Sequence, residues 1–376
     1  MRELPQGYRP IGSMSTERNG IDVWHSTEAS DPLWDDFLRN APCGQYQQSS
    51  LWAEFKKEEG WEHYRIVITS ASIITGGYQL LWKRKGPIRI GYVNKGPVLQ
   101  PETPVIVIEL IRLLVDTARE LRLNALILQQ PDETSVGIDP FTDAGFVVSN
   151  PMNMIESTCL VDLHHDSETL QRKMSSSLRG NLRTAKKLPV MIRNGTENDL
   201  GTFFSLMKAT CLRQHTMPNP ASETALGRLW EIFSSKGMIR LTLAECEGQV
   251  PAALISLGFG DRLTAWKKGW NGGQRQWHPN ELLQYESMEW AKGMEYGVYD
   301  FSSFRRAGAE RILGGVPADN LELSARDEYH RRFGGRPKLL PRALLLIPNR
   351  PLRWLYRKTF VRFEHQRKQR LYIERT

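Results

Sequence analysis

A chain of 376 residues is long enough for two domains of ordinary size, each with its own core. Its 40% apolar and 24% charged content is that of a soluble globular protein, and no run approaches the roughly 18 apolar residues of a membrane span. The net charge of +8 sits in a tail: Arg336–Thr376 carries twelve Lys/Arg against two acids, a net of +10, so the other 335 residues sum to −2. The isoelectric point therefore says little about the main body.

The four cysteines, Cys43, Cys159, Cys211 and Cys246, are scattered without metal spacing, which points to a reducing compartment and away from a disulfide or zinc framework. The first twenty residues hold no apolar signal-peptide core and read as a loosely attached segment, so a cytoplasmic protein is expected. From there 31–38 (DPLWDDFL) reads as a short helix, and 48–60 (QSSLWAEFKKEEG) as another, capped by Ser49 or Ser50. Strands are expected at 64–69, 73–82 and 89–94, an amphipathic helix over 105–121, and strands at 124–128 and 146–148. This makes a first mixed unit over 21–154.

A second unit, 155–338, has similar make-up. STCLVDL is strand-like, and LQRKMSSSLRGNLRTAKK (170–187) is helical with an interruption at Gly180. Helices fit 198–214 and 221–235, and strands fit 239–245, 250–258 and 263–268. The unit is organised around HPNELLQYESMEWAKGMEYGVYDF (278–301), a helix opened by Pro279 and stopped by a left-handed Gly297. The strand that follows ends on Asp300. A charged group at a strand terminus is a candidate reacting group, or else a solvated turn residue. Residues 339–376 read as a tail whose Leu352, Leu355, Tyr356, Phe360 and Phe363 share a helical face among basic residues. Such a helix suits an anionic membrane surface, a phosphate backbone or docking on its own domain.

The sequence shows no P-loop lysine pattern, strand-following G-x-G-x-x-G, HExxH or nucleophile elbow, so an enzyme built on it works by positioning and electrostatics. Arg179 and Arg183, one turn apart, form a candidate clamp for phosphate or carboxylate, against a plain solvated helix face. Arg213 and His215 close an apolar helix, as a ligand contact or as an ordinary C-terminal charge. Trp266, Trp270 and Trp277 fit a core at least as well as a stacking platform.

Four stretches, QSSLWAEFKKEEGW, SSSLRGNLRTAKK, PNELLQYESMEWAKGMEYGVYDF and YHRRFGG, in their order and spacing over roughly residues 45–335, resemble the FemABX family of aminoacyl-tRNA-dependent aminoacyltransferases. The resemblance implies an α/β (mixed α+β) fold of two tandem acetyltransferase-like domains, here without a coiled-coil arm. It also implies amide formation: an amino acid passes from charged tRNA to an amine of a peptidoglycan-precursor-like or natural-product acceptor. That chemistry requires no metal, bound cofactor or enzyme nucleophile. By the same likeness Lys56 and Arg213 would meet a phosphorylated precursor, while Tyr329 and His330 stand in the family's F-K-x-x-F-G ending. His330 replaces a lysine there, and Gln100 replaces the carboxylate of a G-P-V-x-D loop. His330 and Asp300 are thus the expected groups near the reacting centre, with Lys56, Arg179, Arg183, Arg213 and Tyr329 on the ligands. An acyl-CoA-dependent N-acyltransferase is the alternative, its pyrophosphate cradle sought at 305–310 (RRAGAE) or 311–316 (RILGGV). A non-catalytic tandem domain that binds membrane or RNA through the tail is the third reading.

Overall fold

The computed structural model describes residues 4–11, 21–349, 351–354 and 356. Strand β1 (Tyr8–Pro10) pairs antiparallel with β2 (Ile21–Ser26), so the part of the N-terminal segment that is described belongs to a sheet and is not loosely attached. Helices α1 (Pro32–Asn40) and α2 (Ser50–Lys57) follow. Asp31 caps the first and Ser49 the second, and the Asp35 carboxylate accepts from both the backbone N–H and hydroxyl of Ser50, locking the two together. Next come β3 (Glu62–Ser70), β4 (Ile73–Lys85), β5 (Ile88–Asn94), β6 (Val98–Leu99), α3 (Pro104–Glu120), β7 (Ala125–Gln129), α4 (Asp139–Asp143) and β8 (Val147–Val148).

The later half runs β9 (Ser157–Asp162), α5 (Ser167–Lys173), α6 (Ser176–Ala185), β10 (Val190–Asn194), α7 (Leu200–Arg213), α8 (Glu223–Ser234), β11 (Ile239–Cys246), β12 (Gln249–Phe259) and β13 (Arg262–Trp270). It continues through α9 (Pro279–Gly293), β14 (Val298–Asp300), α10 (Arg306–Leu313), α11 (Ala325–Arg332), β15 (Arg336–Leu339) and β16 (Leu344–Leu346).

The chain divides into two compact units, neither of them contiguous. Unit 1 is Met1–Glu28, Gly60–Met154 and Arg342–Thr376; unit 2 is Ala29–Glu59 and Ile155–Pro341. This corrects the contiguous division at 21–154, 155–338 and 339–376. Helices α1 and α2 belong with unit 2, where Arg228 of α8 holds Glu54 at 2.7 Å and Trp52 meets Trp266 edge-on. The expected tail begins inside the fold. β15 pairs with β9, and the apolar run at 344–346 is a strand between β7 and β8 in unit 1. Its three leucines are buried, and an all-apolar run is what a strand covered on both faces requires. Of the amphipathic face expected at 352–363, Leu355, Phe360 and Phe363 lie outside the described residues.

Unit 1 orders its strands β1-β2-β3-β4-β5-β7-β16-β8, with the apolar face of α3 (Ile106, Leu110, Leu113, Leu114) packed on Ile66, Leu80, Leu126 and Leu344. Unit 2 orders β10-β11-β12-β13-β14-β9-β15. There Leu282, Tyr285 and Met288 of α9 share a core with Leu178, Tyr299, Phe301 and Phe333.

Two expected local features change. The break in 170–187 falls at Met174–Ser175, where Ser175 caps α6 by accepting from the Leu178 N–H; Gly180 sits inside the helix. The residue that turns left-handed after α9 is Glu295 (φ 63°), not Gly297. Gly297 is required for a different reason, because a Cβ there would lie 2.4 Å from both Asp261 Oδ2 and His164 Cε1.

Candidate functional site in the second unit

The site begins with a fork in the sheet. β13 and β14 run parallel but pair over three positions only, Arg262–Val298, Leu263–Tyr299 and Thr264–Asp300. Beyond them β13 stays with β12 as far as Trp270. The 301–304 segment stays with β9, through Phe301 N to Cys159 O (3.0 Å) and Phe304 N to Ser157 O (2.9 Å). The Ser302 hydroxyl, donating to Ala265 O at 2.7 Å, ties the apex of the fork. In unit 1 the corresponding parallel pair, β5 and β7, stays joined over five positions and is extended by Gly96 N to Gln129 O (3.1 Å), so no such opening forms. Its end is occupied by the buried Lys95–Asp132 ion pair.

The fork in unit 2 opens into a cleft of about 1060 Å³. Its walls are the end of β13, the end of α7 with the loop that follows, the 301–303 segment, the start of α9 and one face of α11. Arg213, Lys267, Lys268, Arg275, Arg326 and Arg332 line it against two carboxylates, Glu281 and Glu328, which favours anionic ligands.

The YHRRFGG motif explains how α11 presents its residues. Gly334 (φ 81°) ends the helix, and Gly335 permits close approach to β9: a Cβ at 335 would lie 2.5 Å from Cys159 Sγ and 2.8 Å from His330 O. Helix α11 is thereby held against the fork. His330 is buried, stacks on Phe301 with ring centroids 4.5 Å apart, and places Nδ1 3.1 Å from Ser303 O. A carbonyl only accepts, so Nδ1 carries the proton and Nε2 keeps its lone pair. Burial, with Lys268 and Arg326 nearby, pushes the imidazole pKa down to about 3, so the ring is neutral at ordinary pH. Tyr329 donates its hydroxyl to Asn280 O at 2.9 Å, and burial drives its phenol well above the usual range.

Because the folded-state pKa of His330 lies below the unfolded 6.5, its stabilising contribution is fully present above pH 6.5 and is lost as pH falls toward 3. His330→Gln, which can still donate to Ser303, removes that dependence. Urea unfolding between pH 6.5 and 4.5 is expected to show the wild type losing up to about 1.4 kcal/mol per pH unit more than the variant. Parallel slopes for the two proteins would refute a buried neutral histidine.

Not every expected site residue reaches the cleft. His330, Tyr329 and Arg213 line it. Arg213 lies over the Trp270 ring at 5.1 Å and donates to Trp270 O. Lys56 does not line it: its amine pairs with Glu59 at 2.7 Å and lies over Trp52, one ring removed from the lining Trp266. Asp300 is not among the residues that line the cleft. Its carboxylate accepts from the Thr158 hydroxyl, the Ser302 N–H (2.8 Å) and Arg262 (3.2 Å), so it fastens the fork from within the sheet. Arg179 and Arg183 form no clamp either. The Arg179 guanidinium donates to Met174 O and other carbonyls ending α5, and Arg183 is exposed beside it without lining the cleft.

The cleft also contains residues the sequence reading passed over. Asn280 Oδ1 is buried with no hydrogen-bond partner, and Glu281 follows in the first turn of α9. Lys268 projects from β13 with its amine 3.9 Å from the centroid of the Tyr329 ring. It is half-buried, its exposed part opening on the cleft, and enclosure by protein pulls its pKa down to about 8. The available signal was its parity with Trp270, two residues on along β13; at Trp266 a bulge interrupts the alternation and brings Lys267 to the cleft as well.

Neither glycine-containing stretch at 305–316 forms a phosphate cradle. Gly314 and Gly315 follow the C-terminus of α10, where carbonyls rather than N–H groups are exposed. At its N-terminus Arg306 is engaged by Glu310 and by the carbonyls of Glu156 and Leu340. Two helix starts face the cleft, and both are acidic in the first turn: α9, where Pro279 also lacks an N–H and Glu281 adds negative charge, and α11, with Asp327 and Glu328.

Two GNAT-type sheets in one chain, one forked and one closed, define a tandem acetyltransferase-like fold. Residues 172–311 match the acetyltransferase (GNAT) domain family. Lipid II:glycine glycyltransferases of Staphylococcus aureus are similar; that of strain MRSA252 is 27% identical over 192 residues, 47% of this chain and 45% of the relative. The chain thus matches just under half the length of these curated relatives. Among solved structures, FemX superposes with a TM-score of 0.71 at 18% identity, over 87% of this chain and 97% of FemX. A tandem GNAT protein from the clavulanic acid biosynthesis pathway gives 0.50 at 11%, over 84% and 93%. The chain is thus similar to FemABX-like proteins, in sequence over 192 residues and in fold over most of its length.

Proposed function

We propose that the forked cleft of unit 2 joins an amino acid, carried as an ester on tRNA, to an amine of a peptidoglycan-precursor-like acceptor. The observation that carries this reading is the fork itself, which brings Lys268, Tyr329 and the neutral His330 around one opening large enough for two substrates. The reaction is aminolysis of an activated ester. The acceptor nitrogen attacks as the free amine, the carbonyl oxygen gathers negative charge, and the ribose oxygen leaves. The six cationic side chains suit a phosphorylated acceptor and the 3′ end of a tRNA. The named relatives, lipid II:glycine glycyltransferases, favour a lipid-linked acceptor, and with it work at the inner face of a membrane. No helix among the described residues is long and apolar enough to cross one.

The GNAT-domain match favours acyl-CoA as a second donor. An acidic, proline-opened α9 is a poor seat for its pyrophosphate, and charged tRNA is preferred on that ground. The test is transfer of radiolabelled amino acids from a bulk charged-tRNA pool to UDP- and lipid-linked precursors, beside acetyl-CoA. An amide product formed from charged tRNA at a rate insensitive to acetyl-CoA is expected. Saturable acetyl-CoA turnover with no transfer from tRNA would replace this reading by the second.

A further inference from the structure

We propose that Lys268 supplies the positive charge at the reacting carbonyl, from a strand rather than from the helix position that His330 holds. The assignment rests on the aminoacyl-transfer reading above.

A developing oxyanion needs a fixed donor in the cleft, and His330 at ordinary pH is uncharged. Lys268 has what the role requires. It sits on a strand held in register, opposite Leu254 of β12, which fixes its origin. Its ammonium lies 3.9 Å from the Tyr329 ring centroid, a cation–π seat that holds the charge while leaving N–H donors free for a ligand. Among the described residues it makes no ion pair. Burial lowers its basicity, and the carboxylate that acts on it opposes that shift. Glu281 at the start of α9 is the carboxylate that acts on it, with His278 beside that turn. From α11 it meets Tyr329 and His330, with Arg326, Glu328 and Arg332 on the same wall, and Lys267 is its neighbour on β13. A half-buried amine kept without an ion-pair partner costs stability, and the oxyanion that forms in the transition state offsets that cost.

The step balances without further reactants. The amine lone pair forms the C–N bond while the carbonyl π pair moves to oxygen, where the Lys268 ammonium stabilises it. Collapse restores the carbonyl and breaks the ester C–O bond, and the proton lost by nitrogen ends on the leaving ribose oxygen. Lys268 must be protonated to act, so the rate falls as pH rises through its pKa of about 8.

The experiment compares the pH dependence of kcat and kcat/KM for transfer by the wild type, Lys268→Met, Lys268→Arg and His330→Gln, with urea unfolding of each. Lys268→Met is expected to lose roughly 10²–10³-fold in kcat at little change in KM, and to unfold no more readily than the wild type. Lys268→Arg is expected to retain part of the activity and to move the alkaline limb from near pH 8 to beyond about pH 10. His330→Gln keeps the limb where the wild type has it. Activity of Lys268→Met within threefold of wild type, or an alkaline limb unmoved in Lys268→Arg, overturns the assignment. A wild type that transfers nothing from any charged tRNA overturns instead the reaction on which it rests.

Discussion

Asp300→Ala is expected to cost about 3–5 kcal/mol in unfolding free energy and to abolish transfer, although Asp300 does not line the cleft. Its carboxylate gathers Thr158 from β9, Arg262 from β13 and the Ser302 N–H, three groups that meet where the sheet divides. Removing it takes this partner from a largely buried guanidinium and releases Ser302, whose left-handed backbone (φ 68°) sets the course of the 301–304 segment. Asp300→Asn separates this fastening role from chemistry. The amide still accepts from Thr158 and Ser302, so most activity and all but about 1–2 kcal/mol of stability should remain. Loss of all turnover in a folded, stable Asp300→Asn protein would return Asp300 to the reacting centre.

Ending the chain after Pro341 should have a still larger effect. It removes β16, whose three leucines are buried between β7 and β8. At about 1.5–3 kcal/mol for each buried leucine, the loss is roughly 5–9 kcal/mol, comparable with the whole stability of a domain. Limited proteolysis should then cut freely within 60–154, while a chain that keeps β16 and ends after Tyr356 resists. Equal resistance of the two truncated forms would mean that β16 contributes nothing to its sheet.

Local signals carried much of the fold. Ser49 before Leu51 and Trp52, Pro279 at the start of α9, and the β-branched runs of β3 and β4 state their own secondary structure and could be read directly. The partition into units could not, because Trp52 against Trp266 and Leu345 against Ile127 are pairings between residues more than two hundred positions apart. The apolar run at 344–346 has the composition of a buried strand, but its basic surroundings have that of a tail, and only the sheet decides between them. Within the site, the YHRRFGG stretch pointed to a helix that lines the cleft. Asp300 misled because a strand-end acid looks alike whether it faces a ligand or a neighbouring arginine. Lys268 was hidden for the opposite reason: next to Lys267 it reads as surface charge, and its enclosure comes from α11, some sixty residues later.

The interleaving of the two units also fixes the order in which a growing chain can complete them. Every segment of unit 2 has been synthesised once Pro341 is added, whereas unit 1 still lacks β16. While the chain is emerging, the forked unit can therefore close first, and residues 60–154 must wait with a gap between β7 and β8 until the last strand arrives. A ribosome stalled or a message cut in that interval leaves a finished cleft attached to an unfinished partner with an open sheet edge, the form most prone to aggregate.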